Sequence, residues 1–389
     1  MVSYFQQGEA NYSYREVAWI ANRIPRGGST MRIRSNATCA ASVLAVAVVA
    51  AGFLVSQTNP TIPHGRVERV KVHGKGLDGN LEGDSADRDV AVYLPPGYNT
   101  DRNRRFPVIY MLHGFTDDIE HWWGFKPHFI NLPAVIDKAL AGGAAREMIV
   151  VMPNAYTAYQ GSMYSNSITT GDWEGFVANE LVSYVDTHYR TIPDSGSRGL
   201  AGHSMGGYGT IRIGMKHPDV FSSIYALSAC CLTPSLNMQQ GSAAMSRAEA
   251  IHRAADLDKA DFGTKVIVAS AAAWSPNPDK PPLFLDLPWQ NGRFQPMVAA
   301  KWAANAPLAT IDQHIPNLKR LRAIAIDAGN KDEAIAGTVK TLDQVLKVYK
   351  VAHAFEIYDG THTSRIAERI ETKTLPFFSQ NLSFSPARR

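Results

Sequence analysis

The stretch "GLAGHSMGGYGTIRIGMKHP", residues 199–218, decides the reading of this chain. Gly202, Ser204 and Gly206 fit the pattern G-x-S-x-G. The pattern carries chemistry only where the serine stands on a tight turn from a strand into a helix. The apolar run "RGLAGHS" (198–204) predicts the strand. Residues 205–216, with Ile211 and Met215 on one side, predict the helix. The glycines remove side chains where such a turn brings backbone close to backbone. Ser204 is then the candidate nucleophile, and the N–H of Met205 is aimed at a developing oxyanion. The helix N-terminus behind it favours negative charge.

Working outward, strand patterns recur on both sides. "RVERVKVHG" (66–74) and "RDVAVYLPPGY" (88–98) alternate apolar and polar residues, as half-exposed strands do. "FPVIYMLHG" (106–114) and "MIVVMPN" (148–154) are continuous apolar runs, as expected of buried parallel strands. A helical pattern covers 172–192. Strands are expected at 221–229, 321–329 and 353–360, with helices near 332–350 and 364–372. This alternation predicts an α/β fold, a mainly parallel sheet with helices on both faces. Residues 232–316 are rich in proline and large apolar side chains. They read as an irregular insertion before the acid-bearing strand, lid-like over the site, and the catalytic domain is expected over 66–380.

A serine hydroxyl needs a base to take its proton. On this architecture the partners follow in the order acid, then histidine. Two histidines follow the late strands. His353 opens a strand and suits a core or edge role. His362, in the loop "DGTHTSR" after the final strand, is the candidate base. The segment "LRAIAIDAGNKDEA" offers the acid. Asp332, after a Gly-Asn turn, is favoured, with Asp327 at the strand tip as the alternative. The second oxyanion donor is expected in "LHGFTDDIEHWW", from the N–H of Phe115 beyond Gly114. His113 is read as shaping that loop. Trp122 and Trp123 either line the substrate pocket or pack beneath it. Phe284, Leu285, Leu287 and Trp289 either wall the site or fill an accessory core.

The motifs "AGHSMGGYGTIRIGMKHPDVFSSIYALSA", "VIYMLHGFTDDIEHWW" and "NELVSYVDTHYRT" resemble the esterase D-like family. That family includes S-formylglutathione hydrolases, feruloyl esterase modules and mycolyltransferases. The resemblance covers residues 66–230 well and 318–375 more loosely. It implies an α/β-hydrolase fold and cleavage of carboxylic esters through an acyl-enzyme. It places the nucleophile on Ser204, the acid on Asp332, the base on His362 and the oxyanion donors on Phe115 and Met205, with no metal or cofactor. Acyl transfer to an alcohol, peptidase activity and a non-catalytic surface-binding role are the rivals. The loop "GTHTSR" lacks the aromatic residue that many members carry there, and the insertion diverges, so the substrate stays open.

Composition narrows the alternatives. The 389 residues are 45% hydrophobic and 19% charged, which provides for a sizeable core. The net charge is +4. Residues 1–51, with five Arg and two Glu, supply +3 of it, and the remainder is nearly neutral. No basic patch suggests a nucleic-acid partner. The three cysteines, Cys39, Cys230 and Cys231, show no zinc spacing and suggest no structural disulfide. Arg32 and Arg34 precede an uncharged run at 38–56 with small residues near Ala47 to Ala51. Residues 31–57 therefore read as a signal peptide, with a membrane anchor as the alternative. Met31 offers a second start, which makes residues 1–30 an upstream extension. A secreted, periplasmic or cell-surface location follows from either reading, and argues against a glutathione thioester as substrate.

Overall fold

Alternate side chains of the central strands feed two different cores, and this sets the architecture. In the computed structural model, residues 64–234 and 242–385 are described. The expected signal or anchor at 31–57 lies outside them. Eight strands form the main sheet: β1 (Arg66–His73), β2 (Asp87–Leu94), β3 (Val108–Leu112), β4 (Ile149–Pro153), β5 (Arg198–His203), β6 (Ser223–Leu227), β7 (Ala323–Gly329) and β8 (Ala354–Tyr358). Their order is β1-β2-β4-β3-β5-β6-β7-β8. β1 pairs antiparallel with β2, and β2 with β4. The remaining pairs are parallel. The predicted mainly parallel sheet is present.

The longer helices are α1 (Leu132–Ala141), α2 (Leu181–His188), α3 (Met205–Lys216), α4 (Phe262–Trp274), α5 (Pro296–Asn305), α6 (Glu333–Val348) and α7 (Leu375–Asn381). Successive strand residues point to opposite faces. Val108, Tyr110, Leu112, Ile149 and Val151 enter one core with apolar residues of α2 to α6. Ile109, Met111, Val150 and Met152 enter the other with those of α1 and α7. A strand buried on both faces has no polar alternation to show, which is why β3 and β4 read as unbroken apolar runs.

One expectation is corrected. The insertion, which lies between β6 and β7, is not irregular. Its described part carries a helix at Ala243–Glu249, then α4 and α5, then short helical turns. α4, "FGTKVIVASAAAW", is buried along most of its length, so it is apolar nearly all round and shows no stripe. Its start is capped by Asp261, whose side chain accepts from Thr264 N–H. Pro296 opens α5 at its first turn rather than breaking a helix. Among the described residues, no helix is long and apolar enough to cross a membrane.

Candidate active site

β3 lies between β4 and β5, so the chain reverses its direction of travel across the sheet there. Crevices beyond the carboxyl ends of strands form at such a reversal. The register pairs Leu112 with Gly202, which sets the loop after β3 beside Ser204. Ser204 itself has φ of 58° and ψ of −114°. A non-glycine residue held there stores on the order of 1–3 kcal/mol. Three hydrogen bonds hold the turn: Ser204 N–H donates to Leu227 O (3.0 Å), and the Ser204 carbonyl accepts from Tyr208 (2.9 Å) and Cys230 (3.2 Å).

The flanking glycines follow from close backbone approach. A Cβ at Gly202 would lie 2.3 Å from Gly206 O, and one at Gly206 only 2.0 Å from Leu112 O. Gly206→Ala is therefore expected to force β3 and α3 apart. A loss of about 1–3 kcal/mol, the usual range for overpacking, should appear in denaturant unfolding, with lower activity. Wild-type stability in that variant would show that the elbow is not sterically closed.

The candidate partners converge on the serine. Ser204 Oγ donates to His362 Nε2 at 2.9 Å, and His362 Nδ1–H donates to Asp332 Oδ2 at 2.5 Å. Their loops follow the neighbouring strands β7 and β8 and are stitched together. Asn330 N–H donates to Tyr358 O (2.8 Å) and Lys331 N–H to Gly360 O (2.9 Å). Gly360 N–H donates to Asn330 Oδ1 at 3.2 Å. Asp327, the alternative acid, lies inside β7 and is wholly buried. It accepts from Arg369 Nη2 at 2.7 Å and from Tyr225 OH at 2.8 Å. His353 is held by Asp343 at 3.0 Å, away from the serine's contacts.

Among the described residues, the main-chain N–H groups of Phe115 and Met205 have no acceptor. Their side chains meet at Gly161, where a Cβ would lie 2.5 Å from Phe115 and 2.8 Å from Met205 Sδ. Thr116 N–H donates to Gln160 O at 3.0 Å, so the 155–164 segment braces the loop. Gln160, Met163 and Tyr164 all have positive φ. Sequence reading missed this segment, whose only local signal is Gly161. His113 shapes the loop: Nδ1–H donates to Gly114 O (2.9 Å), and Nε2 accepts from Ala155 N–H (2.8 Å). Its burial lowers its pKa.

The pocket assignments need correction. Trp122 is fully buried and its Nε1–H donates to Asp117. Trp123 is also buried, with its Nε1–H on Met152 Sδ. Both indoles belong to the core shared with α1 and offer no surface to a ligand. Trp289 sits half-buried in a two-stranded ribbon, its ring 5.3 Å from Phe294 and packed against the other core. Leu285 and Leu287 are buried in that same core. An exposed ring beside the loop after β3 is Phe262, 64% exposed and edge-on to Phe115 at 5.8 Å.

His203, also missed, lies directly beneath His362. Its pKa is pushed down to about 3, first by burial and then by the charge of His362. The unfolded chain protonates this group below its ordinary 6.5 while the fold does not. Stability is thus present above pH 6.5 and is lost as pH falls toward 3, by up to about 1.4 kcal/mol per pH unit for one such group. Urea unfolding at stepped pH should show a shallower loss for His203→Gln; an equal loss would refute the assignment. Among the described residues, no cluster of three or more His, Cys, Asp or Glu is placed to hold a metal.

The family model named Esterase matches residues 85–366. The chain belongs to the Esterase family. An endo-1,4-beta-xylanase/feruloyl esterase of Xylanibacter ruminicola is 30% identical to this esterase-family chain over 133 residues, 33% of the chain and 18% of that protein. An esterase of Mycobacterium tuberculosis is 28% identical over 135 residues, 34% of the chain and 27% of that protein. The matches therefore span well under a third of these curated relatives. A solved ferulic acid esterase superposes with a TM-score of 0.58 at 21% identity, covering 82% of this chain and 99% of that one. An S-formylglutathione hydrolase from Staphylococcus aureus gives 0.53 at 16%, covering 81% and 99%. At these identities the likeness establishes the α/β-hydrolase fold, and the family resemblance read from the motifs is borne out.

Proposed function

We propose that this esterase-family chain is a serine carboxylesterase whose unit spans residues 66–380, with 232–316 inserted. The observation that carries the proposal is the hydrogen-bonded line Asp332–His362–Ser204 beside two N–H groups without acceptors. Ser204 Oγ attacks the ester carbonyl carbon as His362 Nε2 takes its proton. Asp332 holds the Nδ1–H tautomer and stabilises the imidazolium. The carbonyl oxygen, now anionic, receives the Phe115 and Met205 N–H groups, one such donor being worth roughly 2.7–4 kcal/mol. The ester C–O bond breaks as His362 returns the proton to the alkoxide. Water, activated by the same imidazole, then releases the acid. Each step uses these groups and water alone.

The feruloyl esterase relatives and the exposed Phe262 ring support esters with an aromatic part. The segment at 31–57 supports export, as signal or anchor. The test is hydrolysis of p-nitrophenyl acetate, butyrate and octanoate and of methyl ferulate, with peptide mapping after treatment with an organophosphonate. The expected result is turnover and one phosphonyl group on Ser204. No turnover by folded protein, or labelling elsewhere, rejects the reading. Glycerol or trehalose in the same assay measures partition toward acyl transfer, which uses the same groups.

A further inference from the structure

His203 precedes the nucleophile, and its side chain reaches the loop of the base. It ends β5, where strand alternation turns it away from the face that carries α3. The ring is buried, 2% exposed. Its Nε2 lies 2.8 Å from the main-chain carbonyl of His362. A carbonyl only accepts, so the proton is on Nε2. Among the described residues this is the one hydrogen bond made by the main chain of His362. The two imidazoles are 4.6 Å apart, centre to centre. Trp122, at 6.2 Å, and the edge of Phe129, at 5.8 Å, also pack on the His203 ring.

The other ring nitrogen explains why this donor stays neutral. Nδ1 is buried and has no partner among the described residues. It faces Gly114, where a Cβ would lie 3.6 Å from Nδ1 and also 3.6 Å from Ser204 Cβ. Protonating Nδ1 would bury a cation with no acceptor, which is strongly unfavourable. The charged groups that act on it are His362, Asp117 and His128. Asp117 is already engaged by Trp122 and His128. Positive charge develops on His362 during catalysis, and a second cation beneath it would oppose that charge. A lysine or arginine could make the same hydrogen bond only by adding that cation.

We propose that His203 is the positioning residue of the general base: a neutral imidazole that pins the His362 carbonyl and so keeps Nε2 within reach of Ser204 Oγ. The proposal rests on the Ser204–His362–Asp332 reading. It assigns the histidine of the G-H-S segment a task distinct from proton transfer.

The experiment compares full-length wild type, His203→Phe, His203→Gln and Ser204→Ala on p-nitrophenyl acetate, with thermal unfolding of each. His203→Phe keeps a ring but loses the donor. Its kcat should fall about 10- to 100-fold, the scale of a small misplacement of a catalytic group, with KM little changed. Its low-field His362 Nδ1 proton resonance should broaden by exchange with water. His203→Gln can donate an amide N–H to the same carbonyl and should recover most of the kcat and the sharp resonance. Wild-type kcat in His203→Phe, or equal impairment in folded His203→Gln, overturns the proposal. Nitrogen-15 spectra of the wild type test it without any variant. His203 should remain the Nε2–H tautomer from about pH 5 to 9, where an ordinary histidine titrates. Titration in that range, or an Nδ1–H tautomer, overturns it. If Ser204→Ala hydrolyses as fast as wild type, the triad reading itself falls. If Ser204→Ala is inactive and His203→Phe is not impaired, only the role of His203 falls.

Discussion

Ser204→Ala is expected to lower kcat by about a millionfold with the fold intact, the scale seen when a triad serine is removed. Alanine fits the turn because the hydroxyl makes its hydrogen bond to His362 and the elbow is held by main-chain bonds to Leu227, Tyr208 and Cys230. Asp332→Asn should cost about 10⁴-fold. An asparagine can present an N–H to Nδ1, which leaves the imidazole with its proton on Nε2, facing the serine. The base then cannot accept the Ser204 proton. Steady-state kinetics and circular dichroism on both variants check this. An Asp332→Asn enzyme with most of its turnover would remove Asp332 from the site.

Asp327→Asn should do the opposite and destabilise the protein while leaving turnover per folded molecule near wild type. Asp327 and Arg369 are both buried, and the guanidinium donates through Nε at 3.0 Å and Nη2 at 2.7 Å to one carboxylate oxygen. Removing one partner of a buried ion pair strands the other and costs about 3–5 kcal/mol. Glu356, half-exposed and 2.9 Å from Arg369 Nη1, retains part of the compensation, so the lower end is expected. The loss should appear as a lower urea midpoint with an unchanged slope. If Asp327→Asn were fully stable but catalytically dead, the assignments of the two aspartates would be exchanged.

Sequence reading favoured Asp332 over Asp327 from the Gly-Asn turn before it, with no sight of the partners of either. The two aspartates lie five residues apart in one segment, Asp327 directly after Ile326 and Asp332 after Lys331. What separates them is distant in the chain. Arg369, 42 residues on, claims Asp327. Main-chain bonds between the β7 and β8 loops carry Asp332 to His362. Trp122 and Trp123 stayed between two readings for the same kind of reason. A Trp-Trp pair in a loop reads alike whether it lines a pocket or supports a floor. Only the packing of Met152 and α1 shows the floor. α4 was missed because burial along most of its length blurs the 3.6-residue stripe that marks a helix.

The elbow was legible because its requirements are local. Strand, serine, glycines and helix stand in one run of residues, and backbone sterics act between neighbours there. The parallel sheet was legible because two-sided burial demands continuous apolar runs wherever the strands lie. The sequence by itself therefore determined the α/β class, the place of Ser204 and the candidate histidine. The tertiary structure decided which aspartate reaches that histidine, that His203 lies beneath it, and that Phe262 stands by Phe115. Those choices depend on groups up to 159 residues apart, His203 Nε2 and the His362 carbonyl. A hydrogen bond of under 3 Å is set by how strands and loops pack, and no local pattern records that.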